Sequence, residues 1–120
     1  MYLLYHNPRC SKSRETLSLL QSHQIEPEIR EYLKQAPAVA ELQEILDKSG
    51  KTALEIMRPK EARFKELGLS TKDQRSQAEW LQLIHQNPIL LERPILVTDS
   101  GAALGRPPEN VLALLPNSAD

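Results

Sequence analysis

The chemistry-bearing stretch of this chain is His6-Asn7-Pro8-Arg9-Cys10-Ser11-Lys12-Ser13-Arg14, where the only cysteine of 120 residues stands among His6, Arg9, Lys12 and Arg14. A short apolar strand pattern precedes it, Asn7-Pro8 marks a turn, and a helix pattern opens near Ser11. A cysteine at such a junction faces free backbone N–H groups and the positive end of the helix dipole, which favour the thiolate over the thiol. The chemistry this predicts is nucleophilic attack by sulfur. The alternative is a small buried hydrophobe between strand and helix, but cations on both flanks argue against deep apolar burial. Ser13 occupies the place where a Cys-x-x-Cys motif would carry its resolving cysteine; its hydroxyl either hydrogen-bonds the thiolate or caps the helix. His6 either supports the cysteine loop and its thiolate or is a neutral structural residue. With no second thiol in the chain, any redox turnover must draw its electrons from an external thiol.

The elements that must hold this loop follow from periodicity and punctuation. Tyr2 to Tyr5 reads as a strand, and Ser11 to His23 as a helix with Ser11 or Ser13 as candidate caps. Pro27 to Leu33 reads as a second strand, parallel to the first because a helix intervenes. Val39, Leu42, Ile45 and Leu46 share one helical face that closes at Ser49-Gly50. From Lys51 to Gly68 the pattern predicts short helices, and from Asp73 to Gln86 a longer one stopped by Asn87-Pro88. Ile95 to Val97 and Ala102 to Leu104 form a hairpin about Thr98-Asp99-Ser100-Gly101. Pro107-Pro108 leads a last helix, and the chain from Pro116 reads as a frayed tail. The order is β-α-β, several helices, then β-β-α. That is an α/β chain of the thioredoxin arrangement, a single domain over residues 1–120 with a helical insertion at about 38–87 between its halves.

Composition narrows the function classes. Fifteen Lys plus Arg against 16 Asp plus Glu give a net charge of -1, which leaves no bulk electrostatic footprint for nucleic acid or a membrane surface. Any anion site must be local. One cysteine excludes an internal disulfide, and no Cys/His cluster has metal-ligand spacing. The expected setting is reducing and cytoplasmic. The first apolar run is too short for a signal peptide, and no stretch approaches the roughly 20 apolar residues that span a bilayer.

The run from His6 to Leu17 resembles the active-site segment of the arsenate reductase family that works with glutaredoxin. Leu67-Gly68-Leu69, Asn87-Pro88-Ile89-Leu90, Glu92-Arg93-Pro94-Ile95 and Gly105-Arg106-Pro107-Pro108-Glu109 continue the likeness in the same order, over nearly the whole chain. The resemblance implies Cys10 as nucleophile, with Arg58, Arg93 and Arg106 binding the oxyanion. Planar guanidinium forks suit a tetrahedral dianion, and they offset the repulsion between it and an attacking thiolate. It also implies a cis bond before Pro94, which would turn Arg93 toward Cys10, and supporting places for His6, Ser13 and Arg14. Arsenate would be the substrate, glutathione a co-substrate and glutaredoxin a protein partner, with no bound cofactor and no metal. Proteins similar in scaffold also include glutathione-dependent thiol reductases and Spx-type regulatory binding proteins. The latter commonly carry Cys-x-x-Cys, which Ser13 replaces here, and the arginine trio favours an oxyanion enzyme.

Overall fold

Strand β1 (Tyr2–His6) is the piece that the first unit is assembled on, because it lies second in a four-stranded sheet of order β2-β1-β3-β4. The computed structural model describes residues 1–116, so the expected tail beyond Pro116 lies outside the described residues. Helix α1 (Ser11–Ser22) returns the chain so that β2 (Glu28–Glu31) pairs parallel to β1, with Leu4 opposite Ile29. A right-handed strand-helix-strand crossover gives this pairing as a rule. Strand β3 (Ile95–Thr98) runs antiparallel to β1, with Leu4 opposite Leu96, and its hairpin partner β4 (Ala102–Leu104) closes the sheet. All four residues of β3 are buried, as suits an apolar inner strand. Leu4, Leu20, Leu96 and Val111 form the core of this unit, joining β1, α1, β3 and the C-terminal 3-10 helix Pro108–Leu114. The architecture is thioredoxin-like, as the element order implies.

The chain divides into two compact units, one made of Met1–Glu31 with the chain from Arg93 onward, the other of Tyr32–Glu92. The second unit is helical. Helix α2 (Val39–Ser49) packs Leu42, Ile45 and Leu46 inward and ends on Gly50, whose φ of 71° is the left-handed value that glycine adopts at no side-chain cost. A 3-10 turn (Leu54–Ile56), the short helix α3 (Ala62–Glu66), helix α4 (Gln77–Gln86) and a 3-10 turn (Pro88–Leu90) follow. The Phe64 and Trp80 rings stack at 6.2 Å between centroids, and the Arg75 guanidinium lies 5.6 Å from the Trp80 ring centre.

Four expectations shift. Helix α4 begins at Gln77, four residues after Asp73, because Asp73 is taken up in a turn in which its carboxylate accepts from Ser70 N at 3.0 Å. Ser76 instead starts the helix, its Oγ accepting from Glu79 N at 3.1 Å while its own N–H donates to Glu79 Oε1 at 2.8 Å. Neither Ser11 nor Ser13 caps α1; Cys10 is the N-cap residue and offers no side-chain cap. Strand β2 is shorter at both ends than Pro27 to Leu33. The last helix is a 3-10 helix, with i to i+3 bonds such as Asn110 N to Pro107 O at 3.0 Å.

Candidate active site

Cys10 stands at the hinge between the β1 loop and α1, in extended backbone (φ -96°, ψ 124°), and it is half-buried. Its N–H donates to Asn7 O at 2.9 Å and its own carbonyl accepts from Arg14 N at 3.0 Å, so one backbone bond closes the loop and the next opens the helix. The Asn7 side chain tightens the turn by accepting from Arg9 N at 3.0 Å. Ser13 is fully buried, and its Oγ accepts from Asn7 N at 3.3 Å. Ser13 therefore ties the start of the loop to the first turn of α1. Arg14 acts from the outside, donating from Nη1 to Pro8 O at 3.0 Å. The first-turn N–H groups of α1, which a helix leaves without intrahelical acceptors, begin directly after the sulfur-bearing residue.

A second segment brings an arginine to the sulfur. Arg106 Nη1 donates toward Cys10 Sγ at 3.9 Å and to the Arg93 carbonyl at 3.0 Å. One guanidinium thus spans the cysteine loop and the segment entering β3. The bonds Arg93-Pro94 and Arg106-Pro107 are both cis. Gly105 N donates to Pro94 O at 2.9 Å, and a Cβ built on Gly105 would fall 2.6 Å from Thr16 Oγ1 and 2.8 Å from Pro94 Cγ. Lack of a side chain at Gly105 lets the Arg106 segment lie against α1 and Pro94 this closely. Of the residues singled out in the sequence, the structure brings Cys10, Ser13, Arg14 and Arg106 together, and Arg106 meets the backbone of Arg93.

His6 ends β1 with 6% of its surface exposed, and its Nδ1 is buried with no hydrogen-bond partner among the described residues. Burial pushes its pKa below the usual histidine value; Glu31 opposes the shift and Arg14 reinforces it. A neutral imidazole at neutral pH follows. Arg58 belongs to the second unit, where Nη1 donates to Glu61 Oε2 at 2.7 Å and Nε lies 3.5 Å from Glu92 Oε1. Sequence reasoning passed over Glu61, Glu92, Thr16 and the packing role of Gly105. The spacing of Glu61 three residues after Arg58 was the available signal; nothing local pairs Arg58 with Glu92. Among the described residues no group of three or more His, Cys, Asp or Glu side chains could hold a metal ion, and no helix is long and apolar enough to cross a membrane.

The chain is similar to known proteins in sequence and in fold. The chain is 46% identical over 113 residues to the uncharacterised protein YfgD of Escherichia coli strain K12, covering 93% of this chain and 94% of that one. It is 46% identical over 114 residues to an arsenate reductase of Haemophilus influenzae, covering 94% and 97% respectively. Among solved structures, an arsenate reductase from Vibrio cholerae superposes with a TM-score of 0.90 at 43% identity, covering 95% of this chain and 97% of that one. The model of the ArsC family matches residues 5–114, a span that includes the cysteine loop, Arg58, the cis proline segment and Arg106, and the chain belongs to that family.

Proposed function

We propose that this protein is an arsenate reductase, turning arsenate into arsenite through a covalent cysteinyl intermediate with glutathione and glutaredoxin as external reductants. The observation that carries this reading is the Arg106 guanidinium aimed at the Cys10 sulfur, 3.9 Å away, at the start of α1. Relatives named arsenate reductase support it. An arginine beside a sulfur nucleophile answers two needs of this reaction at once. Its positive charge offsets the repulsion between an attacking sulfur anion and the oxyanion, and its planar guanidinium suits a tetrahedral oxyanion held beside the sulfur. Helix N–H groups after Cys10 supply further donors to an anion placed there.

In the first step the Cys10 thiolate attacks arsenic and forms the S–As bond; an arsenate oxygen, protonated, leaves as water. Glutathione then adds its sulfur to arsenic with loss of a second water; a glutaredoxin thiolate attacks that glutathione sulfur, the electron pair of the broken S–As bond passing to arsenic, and hydrolysis of the remaining Cys10–As(III) bond releases arsenite and the free Cys10 thiol. The two electrons that convert As(V) to As(III) come from these external thiols, which depart as a disulfide. The lone cysteine requires such an outside source. Arg58, Arg93 and Arg106 are assigned to oxyanion binding by resemblance, and Arg106 is supported further by its contact with the Cys10 sulfur. His6, Ser13, Arg14 and Pro94 support the loop, and the expected setting is the reducing cytoplasm.

The test is a coupled assay with arsenate, glutathione, glutaredoxin and an NADPH-linked recycling system. Arsenate-dependent oxidation that needs both thiols is expected. Absence of turnover, with stoichiometric binding to another protein, would place the chain with the regulatory binding proteins of the same scaffold; thiol reduction without arsenate would place it with the thiol reductases.

A further inference from the structure

The segment that carries Arg106 is seated on α1 by a position with no side chain. Gly105 N donates to Pro94 O at 2.9 Å, and a Cβ at this position would stand 2.6 Å from Thr16 Oγ1, 3.2 Å from Thr16 Cγ2 and 2.8 Å from Pro94 Cγ. Gly105 is not one of the glycines with positive φ, so its backbone would accept alanine without strain. The close approach alone is the constraint. Neither neighbour yields easily: Thr16 is fully buried in α1 with a β-branched side chain that is stiff at χ1, and Pro94 is a closed ring. Thr16 Oγ1 has no hydrogen-bond partner among the described residues, so it meets the segment by shape and not through a bond.

Thr16 belongs to the helix of which Cys10 is the N-cap residue. Seat and sulfur therefore share one rigid element, and the residue directly after the seat sends its guanidinium back to that sulfur, Arg106 Nη1 lying 3.9 Å from Cys10 Sγ and 3.0 Å from Arg93 O. We infer that Gly105 is a positioning residue, which by lying flat against Thr16 sets the Arg106 guanidinium at the Cys10 sulfur. A methyl group at position 105 would move the segment away from α1, and with it the backbone from which the Arg106 side chain starts. A long side chain can follow a small shift, but Nη1 here serves Sγ and Arg93 O together, two atoms on different segments, which leaves it little latitude. That this placement serves oxyanion binding rests on the reading proposed above; the placement itself does not.

Cys10 is the only cysteine of the chain, so alkylation reports the surroundings of one sulfur. Iodoacetate and iodoacetamide react with the same sulfur anion and differ chiefly in charge, so the ratio of their rate constants measures the positive charge placed beside Sγ, and the ionised fraction cancels. A loss of stability in a variant that is still folded does not move this ratio. Arg106→Ala, which has no guanidinium, sets its lower end. Gly105→Ala, verified as folded by circular dichroism, should lower the ratio by about threefold or more, toward the Arg106→Ala value. In a Thr16→Ala background, where the seat is vacated, the same change at position 105 should lower it less, since substitutions of residues in contact are not additive. An unchanged ratio in Gly105→Ala, or an equal fall in the two backgrounds, overturns the inference. Should Gly105→Ala not fold, the double variant is compared with Thr16→Ala alone; the remaining close approach to Pro94 predicts a lowered ratio, and no difference overturns the inference. Arsenate kcat/KM is expected to fall together with the ratio. No arsenate enters the alkylation, so a parent without arsenate reductase activity would overturn the functional reading and leave this test standing.

Discussion

Cys10 and the arginines divide the labour of the proposed reaction, and each can be removed alone. Cys10→Ser should abolish turnover, because a hydroxyl is scarcely ionised at neutral pH and supplies no redox-active sulfur. Arg58→Ala, Arg93→Ala and Arg106→Ala should each lower arsenate kcat/KM by about tenfold to a thousandfold, the range for one lost charged partner. Lysine should restore only part, since it keeps the charge and loses the fork. The structure separates the stability of these variants. Arg106 is exposed, so its truncation should cost about 0.5–1 kcal/mol for its bond to the Arg93 carbonyl, whereas removing Arg58 takes from Glu61 and Glu92 the guanidinium they share and should cost about 1–2 kcal/mol; urea denaturation measures both. His6 carries a pH signature. Its pKa is lowered in the folded state, so the unfolded chain takes up the proton more readily and stability falls as pH drops through the ordinary value of 6.5 toward the lowered one. His6→Asn should flatten that part of the pH dependence of Tm, and an equal slope in parent and variant would contradict it. Cys10 was legible because a lone thiol among cations at a strand-helix junction has few readings; the Arg58–Glu92 contact was not, because it joins residues far apart in sequence.

At the scale of elements, the loop from Asn7 to Cys10 is held by bonds that begin in α1. Ser13→Ala would leave the Asn7 N–H without its acceptor in a partly buried place, at a cost of about 1–3 kcal/mol. A denaturation midpoint lowered accordingly is expected, and a midpoint equal to the parent's would show that Ser13 does not hold the loop. The three strands around Leu3, Ile29 and Ile95 share one sheet, as periodicity implied: the first and third are short apolar runs between turn residues, and the second, Glu28–Glu31, alternates loosely among charged residues and pairs parallel to the first. Element starts were harder to read. The step from Asp73 to Ser76 as the head of α4 turns on which of two acidic side chains finds a backbone N–H, Asp73 in its turn or Glu79 in its capping box. Helical periodicity does not register that choice. The contact of Gly105 with Thr16 and Pro94 is equally tertiary, and the sequence shows only a glycine before Arg106.

For the whole molecule, one cysteine and a near-neutral charge set the terms. In the proposed reaction a chain without a second thiol draws its two electrons from outside thiols, so the proposed activity is a property of a system and not of the purified protein alone. Legibility at this scale came from motif order, since Arg93-Pro94 and Gly105-Arg106-Pro107 mean little singly and much in sequence behind Cys10. The most direct measurement is therefore NADPH oxidation by glutathione reductase coupled to this protein, arsenate, glutathione and glutaredoxin, run beside Cys10→Ser and Arg106→Ala. The account predicts arsenate-dependent turnover by the parent that vanishes when glutathione or glutaredoxin is left out, none with Cys10→Ser, and a kcat/KM reduced about tenfold or more with Arg106→Ala. Parent turnover indistinguishable from the protein-free mixture, or equal rates in parent and Cys10→Ser, would contradict it.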